Sequence, residues 1–399
     1  MLNTIYDLLP DEENALKNLL SDTGLELSSN LNAGEGQIGV VIKDGHMTEL
    51  AARRCGLKVL SSFIRHFSAL QTLDLSGNQL DTIPPWISEL KALRTLYLDG
   101  NQLVSLPDSI GGLEALEALH LDHNQLKSLP DQIGFLRTLR QLYLHNNQLN
   151  HLPPSLWSLT SLRLLSIGDN PLLNMPAELA NLRELRELYI HSNNLIELPD
   201  SMGDLGHLHT LDIGHNQLSS LPDSIGRLTN LSQYLYVSHN ALHTLPIRIR
   251  DLKRLTYLNL SHNQFYELPS TISELGSLKE LRLYNNRLST LPPAISHLNQ
   301  LVELHLSNNP LTTLPDSLGE LRALQVLDLR NTALTTLPPT IQMLQNLTHL
   351  DLRGNNFSLL PPALAELPQL QKLDLRWVRL RKQPEWLHDL QERGCTVYQ

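Results

Sequence analysis

One spelling constrains this chain more than any other feature. The pattern LxxLxLxxNxL, as in Leu93-Arg94-Thr95-Leu96-Tyr97-Leu98-Asp99-Gly100-Asn101-Gln102-Leu103, returns at a fixed step. Its Asn column reads Asn78, Asn101, Asn124, Asn147, Asn170, Asn193 and Asn216 at intervals of 23 residues, then Asn240, Asn263, Asn286 and Asn309. Thr332, Asn355 and Val378 continue the column, and Cys55 precedes it, which makes fifteen units, eight from Cys55 to Asn216 and seven from Asn240 to Val378.

Within a unit, Leu93, Leu96 and Leu98 are too closely spaced for one helix face but suit a short strand, with Leu96 and Leu98 pointing inward around Tyr97. Leu103, Leu106, Ile110 and Leu113 line the rest of the coil. No single coil buries these seven residues, so neighbouring units must stack into a parallel sheet over one continuous apolar core. Each fully buried large aliphatic contributes roughly 1.5–3 kcal/mol. The Asn side chain is expected to turn inward and both donate to and accept from backbone groups where the strand bends. Thr332 can keep part of that role, whereas Val378 and Cys55 cannot; both stand in terminal units, where atypical residues are expected. A proline six residues after the column, from Pro84 and Pro107 on to Pro384, fixes φ on the return segment and stops it from becoming another strand.

The period and consensus closely resemble the leucine-rich repeat family over nearly everything from Met47 to Leu380. The second half of each unit, as in Leu106-Pro107-Asp108-Ser109-Ile110-Gly111-Gly112-Leu113, is similar to repeats of plant intracellular Ras-group-related proteins, Scribble-type scaffolds and bacterial Roco proteins. The resemblance implies an α/β solenoid of the leucine-rich repeat horseshoe class, with a concave parallel β-sheet and an irregular or short-helical convex side. It also implies that the repeats bind other proteins.

Composition narrows the partner. The formal charge of −10, with basic residues scattered among more numerous acids, argues against nucleic acid. No apolar run approaches the roughly 20 residues that span a bilayer. The start, MLNTIYDLLPDEEN, lacks the features of a signal peptide. Cys55 and Cys395, near opposite ends, build no disulfide framework. The expectation is a monomeric, cytoplasmic protein, or one delivered by a specialised secretion system, with no cofactor and no metal.

Residues 1–45 are read as an N-terminal cap, 46–381 as the repeats and 382–399 as a C-terminal cap. The stretch after Pro10 puts acids in its first turn and Ala15, Leu16, Leu19 and Leu20 on one side, predicting a helix ending near Gly24. Asp44-Gly45 between strand-like runs predicts a hairpin whose second arm is the first repeat strand. Gly34-Glu35-Gly36-Gln37-Ile38-Gly39-Val40-Val41 spells GxGxxGxV, but it follows a polar loop and opens a strand, so it reads as a flexible loop rather than a nucleotide site. Leu231-Ser232-Gln233-Tyr234-Leu235-Tyr236-Val237 carries one extra residue, read as a β-bulge inside the strand or a tolerated insertion. At the C-terminus, a helix from Pro384 to Gly394 and a following short strand are expected to cover the last core face.

Function must come from exposed positions. On the concave face, the residues between, before and after the two inward leucines point outward, and aromatic and imidazole side chains concentrate there, giving a candidate partner-binding set of Tyr97, His120, Tyr143, His145, Tyr189, His191, Tyr236, Tyr257, Tyr284 and His305. Tyr and His bury area while keeping a polar tip, the chemistry of binding hot spots. The competing reading is solvated surface. Asp328, Asp351 and Asp374 face Arg330, Arg353 and Arg376, expected as cross-strand ion pairs. His120, Asp122 and His145 lack a nucleophile or pocket, so no catalytic residue is assigned. His215, His239 and His262 form a file immediately before the ladder Asn that should respond to pH. The function read from the sequence is non-catalytic protein binding in signalling or host interaction. The alternative is a regulatory or effector component of a GTPase, kinase or ubiquitin system with catalysis in another chain, or a metal-assisted site on the concave histidines.

Overall fold

The computed structural model of the chain describes residues 8–28, 31 and 34–399. They divide into two compact units, the first ending at Asn194 and the second running from Leu195 to Gln399.

The first unit opens with helix α1, Pro10–Thr23, which starts on a proline, carries Asp11, Glu12 and Glu13 in its first turn and stops at Gly24 with φ 68°. Its buried residues are Ala15, Leu16, Leu19 and, unexpectedly, Glu12. The Glu12 carboxylate accepts from the Met47 backbone N–H at 2.7 Å and meets His46 Nδ1 at 2.9 Å, which anchors the helix to the sheet. Strands β1 (Glu26–Ser28), β2 (Gln37–Lys43) and β3 (His46–Ala51) follow. β2 and β3 form the antiparallel hairpin, with both turn residues at positive φ, Asp44 at 52° and Gly45 at 82°, while β3 also pairs in parallel with Thr72–Asp74.

The glycine-rich stretch departs from the expected flexible loop. Only Gly34–Gly36 turns; Gly39 lies inside β2, between Ser28 of β1 and Ala51 of β3. β1, Glu26-Leu27-Ser28, is three residues long, too short to announce itself by alternation, and it supplies β2 with a second hydrogen-bonded neighbour.

From Thr72 the unit repeats. Three-residue strands Thr95–Tyr97, Ala118–His120, Gln141–Tyr143, Leu164–Ser166 and Glu187–Tyr189 pair in parallel, stacking Leu96, Leu119, Leu142, Leu165 and Leu188 in one column. Each strand is followed, across a tight turn, by a five-residue 3₁₀ helix whose N-cap is the repeat proline, as at Asp108–Gly112 behind Pro107. The second unit repeats the plan from Thr210–Asp212 to Lys372–Asp374. It closes with helix α2, Trp386–Glu392, and a strand Thr396–Tyr398 that pairs with Lys372–Asp374. The seven apolar positions form the core: Leu93, Leu96, Leu98, Leu103, Ile110 and Leu113 have no exposed surface and Leu106 has 6%. Among the described residues no helix is long and apolar enough to cross a membrane.

The Asn ladder links successive turns. Asn101 Nδ2 donates to Leu98 O of its own turn and to Leu75 O of the preceding one, each at 3.0 Å, and Oδ1 accepts from Leu80 N at 3.0 Å. Asn78, Asn124, Asn147, Asn170, Asn193, Asn240, Asn263, Asn286 and Asn309 likewise accept a backbone N–H of the preceding turn and donate to its carbonyls and their own. Asn216 accepts from Leu195 N at 3.1 Å and donates to Ile213 O at 3.1 Å. Thr332 keeps one strut, Oγ1 to Leu329 O at 3.2 Å, and meets Asn355 Oδ1, while Asn355 Nδ2 reaches Leu329 O at 2.7 Å.

The extra residue of the Leu231–Val237 unit does not bulge the strand. Tyr234, Leu235 and Tyr236 stand in unbroken register with Thr210, Leu211 and Asp212 on one side and Tyr257, Leu258 and Asn259 on the other. The insertion is absorbed just before the strand, where the N–H groups of Ser232 and Gln233 both reach His209 O, at 3.3 and 3.1 Å. A lead-in loop absorbs a residue without breaking a ladder hydrogen bond, whereas a bulge would leave one unpaired.

Candidate protein-binding face

The strand leucines point into the core, so the third residue of each short strand, and the residue two places later, stand on the opposite face of the sheet. In the first unit this geometry builds a stack of rings. Tyr97 and His120 lie 4.4 Å apart between centroids with planes at 30°, and His120 and Tyr143 lie 4.3 Å apart at 13°. The spacing is set by the parallel register, which places His120 directly between Tyr97 and Tyr143. All three rings are half-buried. Burial pushes His120 down to about 4 against the opposing pull of the Asp74 carboxylate, so its ring is uncharged at neutral pH. Burial, reinforced by the carboxylates of Glu187 and Asp122, raises the Tyr143 hydroxyl.

Beside this stack runs an acid ladder that the sequence did not reveal. Asp99 Oδ1 accepts the N–H of Asp122 at 2.9 Å, and Asp122 Oδ1 accepts the N–H of His145 at 2.7 Å. Burial drives Asp99 up to about 6, with the neighbouring charges of Asp122 and Asp74 adding to it and the donated N–H opposing it.

The stack stops at Ser166, which is small and buried, and in the next strand the Tyr189 hydroxyl donates to Glu187 Oε2 at 2.8 Å. In the neighbouring column His145 meets His123 edge-on at 5.4 Å and His191 at 5.4 Å, with Asp169 between the two imidazoles.

The second unit carries a different cluster. Tyr236 packs against Tyr234 at 5.1 Å and Tyr257 at 4.9 Å, and the Arg282 guanidinium lies 5.3 Å above the Tyr257 ring. Burial first, and then the Tyr236 hydroxyl, raise Tyr257 strongly. Tyr284 touches His262 edge-on at 5.3 Å, and His305 is held by Glu303 at 3.1 Å. The structure brings together Tyr97, His120 and Tyr143, His145 and His191, and Tyr236 with Tyr257, while Tyr284 packs on His262 and His305 on Glu303. Tyr234, the first residue of its strand and in register with Thr210 and Tyr257, joins the third group through Tyr236 and was not singled out as part of the binding set.

In the last repeats the Asp–Arg pairs are mostly not cross-strand. Arg353 Nε sits 2.9 Å from both Asp351 oxygens and Arg376 Nε 2.9 Å from Asp374 Oδ1, each within its own turn, while the cross-strand contact from Arg353 to Asp374 is longer at 3.5 Å. Residues two apart on a strand share a face, so the arginine folds back on the nearest carboxylate.

With this arrangement in view, two family models match, one described as a leucine-rich repeat region over residues 177–256 and 246–329, the other as leucine rich repeat over 48–103, 114–172 and 322–380. A leucine-rich repeat protein of Leptospira interrogans is 35% identical, with a TM-score of 0.79 over 86% of this chain and 93% of its own. The chain belongs to the leucine-rich repeat family. A plant peptide hormone receptor, RGFR1, solved in complex with RGF2, is 25% identical with a TM-score of 0.54 over 91% of this chain and 70% of its own. An internalin, InlF of Listeria monocytogenes, shares the fold at 22% identity, with a TM-score of 0.65 over 92% of this chain and 96% of its own. No curated protein matches the chain. Leucine-rich repeats are a common protein–protein interaction module, in general without catalytic activity.

Proposed function

We propose that this leucine-rich repeat protein is a non-catalytic binding module that captures a partner protein or peptide on the exposed face of its sheet, in a signalling or host-interaction setting. The carrying observation is the Tyr97–His120–Tyr143 stack, three half-buried rings each 4.3–4.4 Å from the next. Rings already ordered by stacking lose little conformational freedom when a partner covers them, so their area and polar tips are available for affinity. Tyr236, Tyr257 and Tyr234 supply a second aromatic group of the same chemistry. The likeness to a plant receptor solved with a peptide hormone supports a peptide or protein ligand. A cytoplasmic setting belongs to the same proposal and is supported by Cys55 and Cys395 both standing as free thiols.

The test is capture of partners by the intact chain compared with a Tyr97→Ala, Tyr143→Ala double variant and with an Asp200→Lys control on the return side. Loss of the captured protein with the double variant alone supports the reading; equal capture by all three chains overturns it.

A further inference from the structure

We propose that His145, Asp169 and His191 form a binding site for one late divalent transition-metal ion of the zinc class. One donor atom from each of the three lies within 4.8 Å of the others. His145 Nε2 is 3.3 Å and His191 Nε2 3.8 Å from the same oxygen, Asp169 Oδ2. Zinc bonds to imidazole nitrogen and carboxylate oxygen are about 2.0–2.2 Å long, so adjacent donors of a tetrahedral site stand about 3.3 Å apart. One pair already has that spacing, and a rotation of the His191 side chain brings in the other.

The fold makes this convergence at one place. His145 and His191 are two turns apart, and equivalent positions so separated in a parallel stack stand about 10 Å from each other. Between them the column holds Gly168, and a Cβ there would lie 2.6 Å from Cε1 and Nε2 of His191. The His191 ring therefore fills the space a side chain would take and reaches to 5.4 Å from the His145 ring. Asp169, at φ 51°, follows the glycine and sets its carboxylate between the two imidazoles. On the other side, the His145 backbone is tied to Asp122 Oδ1 at 2.7 Å.

Two neutral imidazoles and one carboxylate suit zinc and its neighbours rather than calcium or magnesium, which take oxygen donors. Three protein ligands leave a position open towards solvent, as in zinc sites that accept an exchangeable fourth ligand. Among the described residues the other groupings lack this arrangement. Glu280, in the Glu280–Glu303–His305 group, already pairs with Arg282 Nε at 2.6 Å. The rings of His215, His239 and His262 are stacked face to face rather than converging on a point, and His262 Nε2 accepts from the Asn285 amide at 2.8 Å.

The test is calorimetric titration of zinc alone into the full chain freed of metal by a chelator, so it does not depend on any protein partner. Wild type is expected to take up one ion per chain at this site, and His145→Gln and His191→Gln are each expected to weaken that uptake at least tenfold. Gly168→Ala retains all three donors but puts a methyl group where the His191 ring sits, and is expected to weaken it as well. His239→Gln and Glu303→Gln should bind as wild type does. Metal-free melting of each variant identifies any that fails to fold, and the visible bands of cobalt(II) bound in place of zinc give a second readout, lost with His191→Gln. No uptake by the wild type, or equal uptake by wild type, His145→Gln and His191→Gln, overturns the site; wild-type affinity in Gly168→Ala overturns the role of the glycine gap.

Discussion

The imidazole of His239 lies face to face with that of His262, centroids 3.8 Å apart and planes inclined by 15°, and on its other side it meets His215 at 3.9 Å and 13°. Burial and then the neighbouring imidazoles push His239 down to about 4, and the same causes lower His262. Between that value and the ordinary histidine range near 6.5 the unfolded chain binds more protons than the native one. Stability contributed by neutral His239 is therefore present above about 6.5 and lost as pH falls towards 4, and the lowered His262 acts in the same direction. Thermal melts from pH 7.5 to 4.5 should show a smaller loss for His239→Gln than for the wild type, and an identical pH dependence would remove the histidine file as its cause.

Asp99 should act in the opposite direction. Its carboxyl is raised to about 6, so between the ordinary Asp value near 3.9 and 6 the native state binds the extra proton, and stability declines as pH rises through that window. Asn in its place is uncharged and still offers an oxygen to the Asp122 N–H. Asp99→Asn should thus stabilise the protein at pH 7 and lose that advantage near pH 4, as read by denaturant unfolding at the two pH values. A variant less stable than wild type at pH 7 would contradict the argument.

Asn193 donates to Ile167 O at 3.0 Å and Ile190 O at 3.1 Å and accepts from Leu172 N at 3.2 Å, all inside the turn. Asn193→Ala leaves those groups buried and unpaired, at an expected cost of about 1–3 kcal/mol. Equilibrium unfolding in urea checks this, and a change within about 0.5 kcal/mol, the range of ordinary surface substitutions, would mean that water or neighbouring groups replace the amide.

Asn101 and Leu96 were legible because a repeated unit averages its own noise: the same residue at the same place in successive turns must do the same job. The inward leucines, the ladder and the outward columns all follow from period and alternation, and the hairpin follows from the Asp44-Gly45 turn. What the repeat conceals is the part in which one unit differs from the next. Whether rings stack depends on side-chain torsions and on gaps, so Ser166 ending the Tyr97–His120–Tyr143 stack and Gly168 admitting His191 were not visible as contacts. The residue before each ladder Asn also has a left-handed backbone, including His123 at 56°, Asp169 at 51°, His215 at 52° and His239 at 54°. Glycine fits that conformation more readily, and Gly77, Gly100 and Gly354 use it at the equivalent place. A glycine here and an imidazole or carboxylate elsewhere was a signal in the column that a consensus reading passes over.

The aromatic face yields the remaining expectation. Tyr97 and Tyr143 sandwich His120, so removing either ring takes away area that the proposed partner would cover and also frees the imidazole between them. With a partner in hand, Tyr143→Ala should weaken binding at least tenfold, about 1.4 kcal/mol. Asp200 begins the 3₁₀ turn Asp200–Asp204 on the return side, away from the strands, and Asp200→Lys should leave affinity unchanged. Changing the charge of an exposed return turn alters long-range attraction, which salt screens over roughly 8–10 Å, whereas losing a ring alters contact area, which salt does not restore. Measuring both variants at low and high salt therefore separates the two effects. A Tyr143→Ala deficit that persists in salt, with Asp200→Lys near wild type, places the partner on the rings; equal losses in both would place it elsewhere on the protein.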